Sequence, residues 1–450
     1  MKAFLSALLE GPHDASQEFI SGGTDFAELY ALAGALHACF VEVEEKDIPI
    51  CLAAEKREVI AAALLAALAS GVKLVLPHSF SQAALLQMQE VTGFNVAVTD
   101  VARDFPDTTE LLFTGSISAG AGLPVPDLDP DAELLLLFTG GSTGTPRVWS
   151  KTAANIFGEA RFMADQYGLG RGDCIVATVT PCHIYGLLFS VVIPLLAAVP
   201  VAAETPSFPA EIADCVKEHA ATVLVTVPAH YRIIRERRLH STLRLAFSSA
   251  GMLEQKDNEL FCETNAVGIV EVYGSTETGG LAARNRADGE SFFTPLPPVS
   301  WKIAERRLLV KSPFLSPDLP RDEEGFFLSG DLVEQQGEAA FSLHGRADSV
   351  TKVGGERVDL DEVRAAVYQQ PGVKECVVLA LEDGRGRGSR IAALVRGEAL
   401  EPDLLRSALA ETLEPSARPK RILVVNEIPV AANGKYDRAA VIALLGGRLS

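Results

Sequence analysis

The sequence predicts an α/β fold: a large N-terminal domain of α/β subdomains plus a β-rich subdomain, then a small C-terminal α/β domain. Three observations carry this. Short apolar, β-rich runs alternate with helical patterns over most of the chain up to the segment around Val270, the pattern of parallel α/β units. From about Ser291 to Leu343 the texture changes to short strands between Pro, Gly and Asp turns. Charge then divides the chain: 24 basic and 44 acidic side chains precede Arg346, against 16 and 15 from Arg346 onward. The contrast sets an expected boundary between domains of residues 1–345 and 346–450.

A chain of 450 residues outgrows one hydrophobic core, and 48% hydrophobic with 22% charged residues excludes disordered and fibrous classes. Taken in order, KREVIAAALLAALAS from Lys56 has helix-forming composition, Gly71 stops it, and VKLVLP resumes as a strand. ELLLLFT from Glu133 reads as a strand that enters a Gly/Ser/Thr-rich loop. The 30 residues Cys174 to Ala203 hold no Asp, Glu, Lys or Arg and could by length cross a bilayer. Pro181, Pro194, Pro200 and Gly186 interrupt them, so the expectation is a buried strand, a PCHIYG loop and a buried helix LLFSVVIPLLAAV, not a transmembrane segment. A helix at Ile212 leads into the strand ATVLVTVP. After Arg346 a loop, a helix from Leu360–Val363, a strand Glu375–Leu381 and a GRGRGSR turn are expected.

A net charge of −19 argues against a nucleic-acid or anionic-membrane partner held by bulk charge. Seven cysteines form no CxxC pair, and the N-terminus lacks the basic and apolar regions of an export signal. A reduced compartment, the cytoplasm, is the expected location.

Chemistry concentrates in five segments. FTGGSTGTPR offers Thr139, Gly140, Gly141, Ser142, Thr143, Gly144, Thr145 and Arg147. Its glycines let backbone N–H groups converge and its hydroxyls add donors, which suits phosphate but also an exposed turn. It lacks the Gly-Lys-Ser/Thr of a Walker A loop. VYGSTETGG presents Tyr273, Gly274, Ser275, Thr276 and Glu277; Glu277 could ligate magnesium or sit in the first turn of a helix. LSGD sets Asp331 in a turn after a strand, to take ribose hydroxyls or to make an Asx-type bond. GRADSVTKVGGERV holds Arg346, Asp348, Gly354, Gly355 and Arg357 at fixed spacing, and PVAANGKYDR carries Lys435 after a turn.

In this order the motifs resemble those of the adenylate-forming superfamily, which includes acyl- and aryl-CoA synthetases, adenylation domains of peptide synthetases and firefly luciferase. The resemblance runs from about Leu134 to Arg438. It implies that a carboxylate attacks the α-phosphate of ATP, giving acyl-AMP and pyrophosphate, and that a thiol then displaces AMP. It also implies that FTGGSTGTPR binds phosphates, that Thr276 and Glu277 hold phosphate and Mg²⁺, and that Tyr273 and Ser249, Ala250 and Gly251 flank the adenine. By the same resemblance Asp331 and Arg346 bind the ribose, Arg357 lies near phosphate, and Lys435 bridges the carboxylate and the nucleotide. His183, in PCHIYG, is the substrate gate. Asp348 is the hinge of a mobile C-terminal lid, and Gly354-Gly355 lines a tunnel for the pantetheine of CoA or of an acyl carrier protein. The chain departs from the family pattern at Arg147-Val148, where Lys-Gly is usual, and at Ser329, where Thr is common. Because PCHIYG has no acidic residue to hold an α-amino group, the expected substrate is a fatty-acyl or aryl carboxylic acid. Two rivals stand beside the CoA ligase: an adenylating enzyme that loads a carrier protein, and a degenerate nucleotide-binding protein of the same fold.

Overall fold

The apolar runs pair into two six-stranded sheets. The computed structural model describes the chain except residues 44, 46, 108, 117–121, 140–146, 348–349, 354–355, 383–388, 399, 431–435 and 447–450, and describes 139, 350, 352, 356, 357 and 382 by backbone alone. In the first sheet the strands Glu110–Phe113, Val96–Thr99, Ile50–Leu52, Leu74–Leu76 and Glu133–Thr139 run parallel, and Arg147–Thr152 closes the edge antiparallel to Glu133–Thr139. In the second, Ile175–Ala177, Val223–Thr226, Leu245–Ser248 and Ile269–Ser275 run parallel, and Gly279–Asn285 and Thr294–Pro295 complete it antiparallel. The strands Leu74–Leu76, Ile175–Ala177 and Val223–Thr226 are buried throughout and read as continuous apolar runs, which is why they were legible.

The helix Arg57–Ser70 buries nearly every side chain and ends at Gly71, whose φ of 74° is the left-handed cap a glycine allows. The uncharged stretch after Cys174 forms the strand Ile175–Ala177, the short helix Ile184–Leu187, a π-helical turn Leu188–Val192 and the helix Ile193–Ala197. Pro194 cannot donate to a carbonyl one turn back, and the helix widens just before it. Among the described residues no helix is long and apolar enough to cross a membrane. All seven cysteines are free thiols.

The chain forms two compact units, Met1–Ser300 with Val310–Phe327, and Trp301–Leu309 with Leu328–Ser450. A four-stranded sheet, most of whose residues belong to the second unit, takes the order Ser300–Ala304, Arg307–Lys311, Phe327–Gln336, Ala340–Arg346. Beyond it, helices Leu360–Tyr368 and Pro402–Thr412 pack on the sheet Val373–Glu382, Ser389–Gly397, Arg421–Val425, around Val363, Val367, Ile391 and Leu409.

Two expectations change here. Asp331 lies inside the strand Phe327–Gln336, at a register irregularity, instead of in a turn after it. The segment after Arg346, expected as a loop, holds the antiparallel pair Val350–Val353 and Glu356–Asp359.

Candidate active site

Ligands of open α/β sheets bind beyond the C-terminal ends of parallel strands. In the second sheet those ends deliver Thr178 to His183, then Thr226, Ser248 to Gly251, and Tyr273 to Ser275, with Thr226 registered on Ser248 and Ser248 on Glu271. The sheet thus gathers on one edge groups that the sequence spreads over about a hundred residues. Ser249 donates its hydroxyl to the Val272 carbonyl at 2.9 Å, tying the 248–251 wall to the strand that carries Tyr273. Ala250 adopts φ 69°, a left-handed conformation that costs a non-glycine residue about 1 kcal/mol or more. Tyr273 lies 5.8 Å from Phe293, centroid to centroid, and Gly251 faces Pro228.

After Tyr273 the strand turns back on itself. A Cβ at Gly274 would collide with the Gly279 carbonyl, so closure at this bulge requires glycine. Ser275 and Thr278 close the turn reciprocally: the Ser275 N–H donates to Thr278 Oγ1 at 3.0 Å, and the Thr278 N–H donates to Ser275 Oγ at 3.3 Å. Thr276 and Glu277, both half-buried, sit at the tip. Of the two readings of Glu277, the helix start is excluded, because the segment is the turn of an antiparallel hairpin.

The turn is held from beneath by two residues that sequence reasoning missed. Lys151 is buried; its Nζ donates to the carbonyls of Phe314 at 2.7 Å and Glu277 at 3.1 Å, and the Ser316 N–H donates to the same Glu277 carbonyl at 2.8 Å. Glu159, also buried, accepts the Gly280 N–H at 2.7 Å. Burial pulls Lys151 down to about 8 against the opposing pull of Glu159 and Glu277, and burial raises Glu159. The available signal was periodicity: Glu159 shares a helix face with Ile156, Ala160 and Met163, all buried.

Strand Glu133–Thr139 runs parallel to its neighbour up to the start of the Gly/Ser/Thr-rich segment, and Arg147 opens the return strand opposite Thr139. Gly140, Gly141, Ser142, Thr143, Gly144, Thr145 and the Thr139 side chain lie outside the described residues. So do Lys435, Asp348, Gly354 and Gly355, and Arg357 is described by backbone only, paired with Lys352.

His183 is half-buried at the start of the helix Ile184–Leu187. A Cβ at Gly186 would overlap the Thr180 carbonyl, so the PCHIYG loop folds this tightly only with glycine there. Burial raises the neighbouring Cys182 thiol, which leaves it an unreactive core residue.

In the second unit, Asp331 and Arg346 stand directly opposite each other on paired strands, Arg346 Nη1 to Asp331 Oδ1 at 3.7 Å. The buried Ser329 supports them: its hydroxyl accepts the Asp331 N–H at 3.2 Å, and its carbonyl accepts from Arg307. A carboxylate and a guanidinium presented side by side, half-exposed, can meet a vicinal diol and an adjacent anionic oxygen.

The sequence matches a family model described as AMP-binding enzyme over residues 24–313, and one described as AMP-binding enzyme C-terminal domain over residues 362–435. It is 25% identical over 406 residues to the sulfoacetate–CoA ligase of Cupriavidus necator, covering 83% of this chain and 78% of that protein. It is 29% identical over 354 residues to a probable 2-succinylbenzoate–CoA ligase of Mycobacterium tuberculosis, covering 71% of this chain and 86% of that protein. The fold superposes with a TM-score of 0.82 on the O-succinylbenzoate coenzyme A synthetase of Bacillus subtilis in complex with ATP and magnesium ion, at 20% identity over 97% of this chain and 98% of that one. The first family model alone spans more than half of the chain, which therefore belongs to the AMP-binding enzyme family, the adenylate-forming enzymes that include the acyl- and aryl-CoA ligases.

Proposed function

We propose that the chain joins an apolar fatty-acyl or aryl carboxylic acid to ATP, forming acyl-AMP and releasing pyrophosphate, and then transfers the acyl group to the thiol of CoA, releasing AMP. The observation that carries this reading is the shared sheet edge: Ser249 to Gly251, Tyr273 and the turn of Thr276 and Glu277 converge at the strand ends where this fold class binds nucleotides.

The first step brings two anions together. At ~4 Å and an effective dielectric of about 20, their repulsion is about 4 kcal/mol, which positive groups must offset. In this reading Lys435 bridges the acid and the α-phosphate, the phosphate loop and Thr276 donate to phosphate oxygens, and Arg357 adds charge nearby. The Glu277 carboxylate, a hard oxygen donor on a turn with a fixed backbone, suits Mg²⁺. Magnesium supplies charge neutralisation on the polyphosphate when bound. Asp331 accepts the ribose hydroxyls and Arg346 flanks them, Tyr273 covers the adenine, and His183 gates the acyl pocket.

Residues 1–345 act as the catalytic body and 346–450 as the lid, which turns at Asp348 to exchange Lys435 for the Gly354-Gly355 thiol tunnel. The enzyme works in the cytoplasm, in fatty-acyl or aryl-acid metabolism. Hydroxylamine trapping with a panel of carboxylic acids tests the reading: hydroxamate is expected with an apolar acid, and none with any acid means the activity is absent. Adding CoA or a phosphopantetheine-loaded carrier protein to the positive acid identifies the acceptor; thioester only on the carrier protein rejects CoA.

A further inference from the structure

The buried Lys151 and Glu159 grip the Glu277 turn from both sides. Lys151 holds the carbonyl of Glu277 and Glu159 holds the N–H of Gly280, three residues on. Gly279, at φ 66°, has no room for a side chain, because a Cβ would strike the Glu159 carboxylate and Phe314. Lys151 also belongs to the return strand of the phosphate loop, four residues after Arg147. Its neighbours bolt that strand to the 313–318 segment: Ser150 donates through backbone and hydroxyl to Asp318 at 2.7 and 2.8 Å, and Asn155 Nδ2 donates to the Pro313 carbonyl at 2.7 Å. Lys151 itself reaches the same segment at Phe314. A set of buried and half-buried hydrogen bonds thus joins the strand Arg147–Thr152 and the following helix to the Glu277 turn and the 313–318 segment.

Burying charged side chains costs desolvation that bonds to backbone groups repay only in part, so stability is a poor reason for placing Lys151 and Glu159 here; fixing a geometry is a better one. We propose that Lys151 and Glu159 are positioning residues for the adenylation step, fixing the Glu277 turn against the strand Arg147–Thr152 so that the Glu277 carboxylate is held where magnesium on the polyphosphate would be met. The inference rests on the proposed role of Glu277.

The test compares the two half-reactions and metal-dependent binding in Lys151→Met, Glu159→Gln and Glu277→Ala. For Lys151→Met, acid-dependent pyrophosphate exchange should fall about 100-fold, and the Mg²⁺ concentration for half-maximal rate should rise about tenfold. Conversion of supplied acyl-adenylate to thioester, which involves no pyrophosphate, should stay within about threefold. In calorimetric titrations, the preference for Mg·ATP over metal-free ATP should shrink about tenfold. Equal loss in both half-reactions, or an unchanged metal preference, overturns the positioning role and leaves the pair as packing. Should Lys151→Met not fold, Glu159→Gln, which keeps an acceptor for Gly280, is read by the same two measurements. A loss of about tenfold in the exchange reaction alone is then expected, and no change in metal preference overturns the proposal. Glu277→Ala with wild-type metal preference rejects the role of Glu277 itself, a failure distinct from that of Lys151.

Discussion

Asp331 and Arg346 are 15 positions apart in sequence and directly opposed in the fold, because an antiparallel pair returns the chain to its own partner. Motif spacing made both visible as residues, and the strand that carries Asp331 was hidden because Ser-Gly-Asp reads as a turn. Lys151 and Glu159 were not legible as part of a site. A lysine in a strand and a glutamate in a helix are ordinarily solvated, and only tertiary packing shows both buried under one turn. At this scale the ribose assignment is open to direct test. If Asp331 accepts the ribose hydroxyls, replacing it with Ala removes charge-assisted bonds worth about 1.5–3 kcal/mol, and kcat/KM for ATP should fall ~10–100-fold in steady-state kinetics, most of it through KM. Equal use of ATP and its dideoxy analogue by the variant, with strong preference for ATP in the wild type, would place the lost contact at the ribose.

Among the elements, the helix Arg57–Ser70 and the strands Leu74–Leu76, Ile175–Ala177 and Val223–Thr226 were legible because full burial leaves uninterrupted apolar runs, and the Gly71 stop was visible in composition. The pair Val350–Val353 and Glu356–Asp359 was missed because VTKV sets its valines three apart and ERVD holds only one, so neither strand carries the period-two pattern that marks a strand. The other end of the second sheet shows what fixes its register. Asp173 accepts from Arg244 Nε at 2.7 Å, from Arg244 Nη2 at 2.6 Å, from Thr222 Oγ1 at 2.7 Å and from the Gly170 N–H, stapling the starts of three neighbouring strands. Burial alone would raise this carboxyl, but the bonds from Arg244 and Thr222 outweigh it and hold it below its ordinary 3.8. A depressed carboxyl contributes stability above its unfolded-state value and loses it as pH falls through the folded one. Asp173→Asn should therefore cost about 1–2 kcal/mol at neutral pH, with Arg244 half-exposed, and the gap to wild type should close below about pH 4 in urea titrations. A constant gap down to pH ~2 would contradict the staple.

At the scale of the molecule, the charge contrast at Arg346 separates an acidic body from a near-neutral C-terminal part, and the two compact units divide nearby, with Trp301–Leu309 and the segment from Leu328 grouped with the C-terminal residues. Composition reports charge and not contacts, so it could not show that short strands before the boundary join the later unit. If residues 346–450 are a lid that lends Lys435 only to adenylation, Lys435→Ala should lower pyrophosphate exchange by about 100-fold or more and still convert supplied acyl-adenylate to thioester at near wild-type rate. Loss of both steps would mean that the lysine does not act in one half-reaction alone.

In the proposed reaction a carboxylate oxygen attacks the α-phosphate of ATP, and an isotope follows that oxygen directly. With a substrate acid carrying heavy oxygen in its carboxylate, mass spectrometry should find one labelled oxygen in AMP and none in pyrophosphate, since the bridging oxygen leaves with AMP when the thiol attacks. Label in inorganic phosphate, with ADP as the nucleotide product, would mean attack at the γ-phosphate and rule out adenylation.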